Sequence, residues 1–208
     1  MGGLLLIRHG RTEWSVARRH TGRTDVPLTA EGEEQARALR PLLSSYRLSR
    51  VLTSPLQRAS RTAELAGLPG AETDPDLVEW DYGGYEGITT AQVRNERPGW
   101  YIWRDGVVPG DADHPGETVA GVGARADRVL ERLRPLVDDP DSADAALVAH
   151  GHFLRVLTAR RLGLPPECGS LFRLETAATA RLGLEHGRPV LTDWNTRPGD
   201  PPPIASIL

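Results

Sequence analysis

At 208 residues, 39% of them hydrophobic, the chain can build one sizeable core, and its formal net charge of -3, carried without long like-charge blocks, excludes an acidic tail or a basic nucleic-acid arm. All 25 basic side chains are arginine, because the sequence contains no lysine, which excludes a P-loop lysine, a kinase strand lysine and a Schiff-base lysine. A lone cysteine, Cys168, excludes an internal disulfide framework, and the apolar start up to Ile7 has no basic segment ahead of it, so a cytoplasmic protein with no membrane partner is expected.

Gly3 to Ile7 is a short apolar run that stops abruptly, predicting a buried strand that delivers Arg8, His9 and Gly10 at its C-terminal end. A helix is predicted from about Ala30 to Leu43, with Thr29 as N-cap and Pro41 as a reason to end or kink early. Val51-Leu-Thr53 is a weaker strand, leading through Ser54-Pro55 into a helix from Leu56 to Ala66 that Gly67 closes. From Thr73 to Pro115 the periodicity is lost and Trp, Tyr, Gly and Pro accumulate, with only Thr89 to Arg97 reading as helix; this is a cap-like excursion over the site. Thr118 to Val137 forms a further helix, on which Val119, Val122, Ala126, Val129, Leu130, Leu133 and Val137 share a buried face and Pro135 is a second early stop. Ala145 to Ala149 is the second strong strand, ending in His150, Gly151 and His152 before a helix from Phe153 to Leu162. Residues 197–208 read as an extended tail, and the chain as a single domain from 1 to 208.

Two apolar strands thus each end in histidine. In an alternating α/β layer structure ligands bind beyond the carboxyl ends of the strands, so both histidine ends should share one edge. Rival chemistries fail on context. His150 and His152 resemble a metal pair, but no Asp-His follows, and an arginine-rich setting repels cations. Gly121 to Ala126 matches a dinucleotide fingerprint by letter only, with no strand before it. Cys168 and Arg173 are one residue short of a tyrosine-phosphatase loop.

The run Leu4 to Trp14, containing Arg8-His9-Gly10-Arg11-Thr12-Glu13, followed by Thr21-Gly22, Asp25, Pro27-Leu28-Thr29 and Gly32, resembles the N-terminal signature of the histidine phosphatase (phosphoglycerate mutase-like) superfamily. Ser54-Pro55-Leu-Gln-Arg58-Ala59, Glu79 ahead of Tyr82-Gly83, and Ala149-His150-Gly151 resemble its other three blocks, in order. The stretch Glu79 to Gly87, with Trp103-Arg104-Asp105-Gly106 and His150 to Arg155, is most similar to the branch holding sedoheptulose bisphosphatase and bacterial acid phosphatases. The resemblance implies a three-layer α/β/α sandwich around a mixed, mainly parallel sheet.

It also implies residue roles. His9 would be the nucleophile, Arg8 and Arg58 phosphate-binding cations, and His150 a second histidine that holds an equatorial oxygen when protonated. Glu79 would be the proton donor, and its apolar neighbours Val78 and Trp80 suggest surroundings that favour the protonated form. Ser15 stands where many members have asparagine; with Thr21, Gly22 and Gly151 it is a candidate phosphate contact. His152, Tyr82, Trp103 and Arg104 are candidates for leaving-group recognition. His20, His114 and His186 read as surface residues, and Arg61 as a helix-surface charge. These features imply a metal-independent phosphatase, with no cofactor, acting on phosphomonoesters of small metabolites such as sugar phosphates through phosphohistidine. A phosphoglycerate mutase and a catalytically silent phospho-ligand module are the alternatives, and a homodimer is left open.

Overall fold

The computed structural model describes residues 2–139 and 141–200. In chain order it contains β1 (Leu4–Arg8), α1 (Glu13–Val16), α2 (Ala30–Ala38), α3 (Arg40–Leu43), β2 (Leu48–Thr53), α4 (Gln57–Leu65) and β3 (Glu72–Thr73). These are followed by α5 (Thr90–Glu96), α6 (Ile102–Asp105), α7 (Val119–Val137), β4 (Asp144–Ala149), α8 (Gly151–Arg161), β5 (Thr179–Glu185) and β6 (Arg188–Thr196). The strands form one sheet in the order β3-β2-β4-β1-β5-β6. Pairing is parallel from β3 to β1 and antiparallel for β1–β5 and β5–β6, so the sheet is mixed and mainly parallel.

The two central strands are the two strongest apolar runs, because a parallel strand covered on both faces must be hydrophobic on both. Leu4 and Leu6 of β1 join Leu147 of β4 in one core cluster with Val122, Val129 and Leu133 of α7 and Phe153 and Leu157 of α8. Leu5 and Ile7 face the other way, with Val148, against Leu39 and Leu43 and against Ala59 and Ala63 of α4. Three layers result, and the family fold expectation holds. No helix among the described residues is long and apolar enough to cross a membrane.

Several elements depart from the sequence reading. The helix expected to Leu43 breaks at Leu39, and Pro41 sits in the first turn of α3, where its missing N–H costs nothing. Pro135 does not shorten α7: it lies in the last turn, and Asp138 N still donates to Arg134 O at 3.0 Å. Nothing in the sequence reading located β5 and β6, which join through the two-residue loop His186-Gly187 with φ of 49° and 75°. Both loop residues being left-handed suits a tight hairpin.

The 73–115 excursion is packed rather than loose. Trp80, Tyr82, Tyr85, Trp100 and Trp103 are buried in the same cluster as Leu4 and Leu147. Of the expected tail, Arg197 to Asp200 close a turn, with Asp200 N donating to Arg197 O at 3.0 Å, and residues 201–208 lie outside the described residues.

Candidate active site

Register creates the site. Arg8 pairs with Ala149 across the parallel β1–β4 ladder, so the next residues, His9 and His150, emerge side by side with ring centroids 5.2 Å apart. His9 is buried, and its Nδ1 lies 2.7 Å from Gly10 O. A carbonyl can only accept, so Nδ1 carries the proton and Nε2 keeps its lone pair. Burial, with the Arg58 and Arg8 guanidiniums close by, holds the imidazole well below its ordinary pKa and therefore neutral. Gly10 makes this turn possible, because a Cβ there would stand 2.3 Å from Gly32 O.

Arg8 donates from Nη1 to Leu174 O at 2.6 Å, and its buried Nε has no partner among the described residues. Arg58 is fully buried on α4: Nη1 and Nη2 donate to the carbonyls of Thr24 and Gly22 at 2.8 Å each, and Nε donates to His150 Nδ1 at 3.1 Å. Those carbonyls are held in turn by Glu86, whose carboxylate accepts Gly22 N at 2.9 Å and Thr24 N at 3.2 Å. Burial lowers both arginine pKa values from their ordinary range, offset in each case first by Glu79.

Glu79 corrects its sequence reading. Its neighbours suggested an apolar niche, yet its carboxylate accepts three amides: Trp80 N at 2.9 Å, Phe153 N at 2.8 Å and His152 N at 3.0 Å. The last two belong to the first turn of α8, where unpaired N–H groups and the helix dipole attract negative charge.

His150 is likewise corrected. It was expected protonated and facing an equatorial oxygen, but it is completely buried, accepts from Arg58 at Nδ1 and donates from Nε2 to Ser54 Oγ at 2.8 Å. Burial and Arg58 push its pKa well below the ordinary value, so it is neutral beneath His9.

A cleft of about 290 Å³ opens over these groups, lined by Arg8, His9, Ser15, Thr21, Glu79, Tyr82, Gly151 and His152 among the predicted residues. Tyr82 Oη lies 2.6 Å from His152 Nδ1. Burial and Glu79 push the phenol well above its ordinary pKa, while burial and Arg155 hold His152 well below its own, so the pair meets the cleft uncharged. Ser15 is there, but its hydroxyl is engaged in the α1 capping box with Thr12, donating to Thr12 O at 2.9 Å.

Five predicted contacts do not line the cleft: Arg58 and His150 are completely buried below it, with the Arg58 nitrogens spent on carbonyls and on His150 rather than facing the phosphate position, and three more stand aside. Gly22 spends its N–H on Glu86. Trp103 is buried against His152, ring centroids 5.1 Å apart, and carries the Arg155 guanidinium on its face at 4.6 Å, so it supports the site from behind. Arg104 follows it on α6, about 100° round the helix, and so points to solvent, where it binds Asp105 and Gly99 O.

Sequence reasoning missed Arg18, Arg19, His20, Thr90, Arg155 and Leu174, all of which line the cleft. His20 is a correction: it is buried and tilts against the Tyr82 ring at 5.0 Å, and burial lowers its pKa. Its position depends on pairing with the excursion, His20 N to Ile88 O and Gly87 N to His20 O, both 2.9 Å, which no local pattern signals. Arg61 pairs on the surface with Glu33 and Glu64.

Comparison with known proteins gives a consistent picture. The description of the histidine phosphatase superfamily (branch 1) matches residues 4–197. An acid phosphatase of Mycobacterium tuberculosis is 42% identical over 205 residues, covering 98% of this chain and 96% of that protein. Sedoheptulose 1,7-bisphosphatase of Saccharomyces cerevisiae is 35% identical over 191 residues, covering 77% and 67%. A solved structure of a Mycobacterium tuberculosis open reading frame product superposes with a TM-score of 0.85 at 41% identity, covering 94% of this chain and 98% of that one.

Proposed function

We propose that this chain, which belongs to the histidine phosphatase superfamily, hydrolyses phosphomonoesters of small metabolites through a phosphohistidine formed on His9 Nε2. The observation that carries this reading is the 2.7 Å tether of His9 Nδ1 to Gly10 O, in an imidazole kept neutral by burial. Together they leave one lone pair available as nucleophile at neutral pH.

In the first step Nε2 attacks phosphorus, the bond from phosphorus to the ester oxygen breaks, and Glu79 protonates the departing oxygen. Arg8 and Gly151, the first residue of α8, line the cleft where charge gathers on the equatorial oxygens, and Arg58 adds positive potential from below. In the second step water attacks phosphorus, its proton passes to Glu79, the P–N bond breaks and inorganic phosphate leaves a neutral His9. The three amides that bind the Glu79 carboxylate prepare it for the second step, in which it starts as a base. His150 is a positioning residue, holding Arg58 Nε at 3.1 Å. The cleft suits a small phosphorylated molecule. A cytoplasmic location fits the lone thiol of Cys168.

The decisive experiment is rapid acid or base quenching of wild type and His9→Ala with a labelled phosphomonoester. Base-stable, acid-labile label should appear on His9, and the variant should keep less than about a hundredth of the wild-type rate. An unlabelled protein that still turns over, or an active His9→Ala, would refute the covalent route.

A further inference from the structure

Glu79 lies in main chain that no strand ladder or α-helix holds, between a 3-10 turn at Pro75–Leu77 and another at Gly83–Tyr85. A general acid must come within about 2.6 to 3.2 Å of the oxygen it protonates, so this stretch has to be fixed by other means. Arg125, on the second turn of α7, supplies them. Its Nη1 donates to Asp76 O at 2.6 Å and to Val78 O at 2.9 Å, and its Nη2 donates to Glu79 O at 3.3 Å. Nε and Nη2 also bind the two carboxylate oxygens of Glu117, at 2.8 Å each. A guanidinium carries five N–H donors, and these bonds occupy all of them.

Glu117 grips the far side of the same stretch. Its N donates to Asp81 O at 3.0 Å, and its O accepts Trp80 Nε1 at 2.7 Å. The Arg125 guanidinium lies over the Phe153 ring, 5.0 Å from the centroid, and Phe153 N is one of the amides on the Glu79 carboxylate. Arg125 thus touches both the main chain that carries Glu79 and a residue that binds its side chain. Only 12% of the Arg125 side chain and 20% of the Glu117 side chain are exposed, and desolvation at such depth offsets much of the attraction between the charges. What the pair supplies is the fixed geometry of a planar fork. Arg128 and Arg132, further along α7, reach only the Asp76 and Asp74 carboxylates.

Resting on the phosphatase reading above, we infer that Arg125, locked by Glu117, is a positioning residue for the proton donor, setting the main chain of Glu79 so that its carboxyl meets the departing oxygen. Neither Arg125 nor Glu117 is among the residues lining the cleft, so the pair acts on the reaction through Glu79.

Arg125→Lys keeps the charge but replaces the five-donor fork by a point charge with three donors. Rapid quenching should show phosphohistidine forming more slowly by on the order of 10²-fold with glycerol 3-phosphate, the cost of a misplacement near 1 Å. With p-nitrophenyl phosphate, whose leaving group departs without a proton, the loss should stay below about 3-fold. The substrate concentration giving half the maximal rate should not move for either compound, because the groups around the phosphate are untouched. Glu117→Gln keeps its main-chain contacts and one of the two fork bonds, so it should show the same split at smaller size and serves where Arg125→Lys fails to fold. Adding Arg125→Lys to Glu79→Gln should slow phosphohistidine formation by no more than about 2-fold further, since the two act as one unit. Equal losses on both substrates, losses that multiply in the double variant, or unchanged rates in both single variants each overturn the inference while leaving the phosphatase reading intact. A wild type that hydrolyses neither compound sinks that reading, and the positioning role with it.

Discussion

Replacing Glu79 by glutamine should remove both a proton donor and a structural anchor, and the hydrogen bonds set the size of each loss. The carboxylate accepts Trp80 N and Phe153 N on one oxygen and His152 N on the other. A glutamine carbonyl can keep the first two, but its NH2 then faces the His152 N–H, donor against donor. Losing one charge-assisted bond costs about 1.5 to 3 kcal/mol, and losing a negative charge at the N-terminus of α8 adds roughly 0.3 to 1 kcal/mol. At about 2 to 4 °C per kcal/mol for a domain of this size, Glu79→Gln should melt roughly 5 to 15 °C below wild type. Below the melting range, the variant should lose on the order of 10² to 10⁴ in the rate of phosphohistidine formation with an alkyl phosphate. Much less should be lost with p-nitrophenyl phosphate, whose leaving group departs without a proton. Calorimetry and quenched-flow on both substrates measure the two effects. An unchanged melting temperature would show that the amides do not depend on the carboxylate, and an equal kinetic loss on both substrates would show that Glu79 orients the site without donating a proton.

Stability should also depend on histidine protonation. His9, His20, His150 and His152 all have folded pKa values below the ordinary 6.5, chiefly through burial, so the unfolded chain binds more protons than the native one in acid. Their contribution is therefore complete above pH 6.5 and declines as pH falls, by up to about 1.4 kcal/mol per pH unit for each histidine that stays neutral. Melting temperature should drop between pH 7 and 5 and recover in part with vanadate, an anion that favours the native site; a flat profile would contradict the burial argument. Gly10→Ala should force the turn away from Gly32 O and carry the Gly10 carbonyl with it, loosening the Nδ1 tether. Phosphohistidine formation should then slow by about 10²-fold, the usual cost of a misplacement near 1 Å; a normal rate would mean the tether is dispensable. Tyr82→Phe should leave the fold intact yet free the His152 ring, raising KM more than it lowers kcat, and no change in either would remove the pair from substrate contact.

The parts legible in the sequence are those whose physics is local. β1 and β4 are covered on both faces, so they read as unbroken apolar runs, and α2, α5 and α7 announce themselves through the threonine caps Thr29, Thr89 and Thr118. β5 and β6 do not, because Thr192, Asp193 and Asn195 interrupt the alternation, Pro189 sits in the edge strand and Asn195 turns left-handed at φ of 59°. At the site, residues at strand ends could be placed, whereas Arg18, Arg19 and His20 could not. Their loop is pinned to the excursion by an isolated bridge from Arg19 to Thr89, a contact between segments about 70 residues apart. Trp103 and Arg104 show the complementary error: adjacent letters in one motif lie about a quarter-turn apart on a short helix, one buried and one exposed.

Leu4, Leu5, Leu6 and Ile7 present nearly interchangeable side chains to the two halves of the core. Sliding β1 one step along β4 would exchange leucine for leucine or isoleucine, so oily packing offers little resistance, although such a slide would swing His9 to the wrong face of the sheet. Arrest has to come from the strand's flanks, where there is no room. A methyl group on Gly2 would meet Asp139 O at 2.3 Å and one on Gly10 would meet Gly32 O at 2.3 Å, both backbone carbonyls, whereas one on Gly3 would meet the movable end of the Arg181 side chain at 2.8 Å. β1 therefore behaves like a bolt whose shank is replaceable and whose stops are not. A library that varies the four aliphatic positions should retain aligned, working nucleophiles far more often than one that varies Gly2 and Gly10.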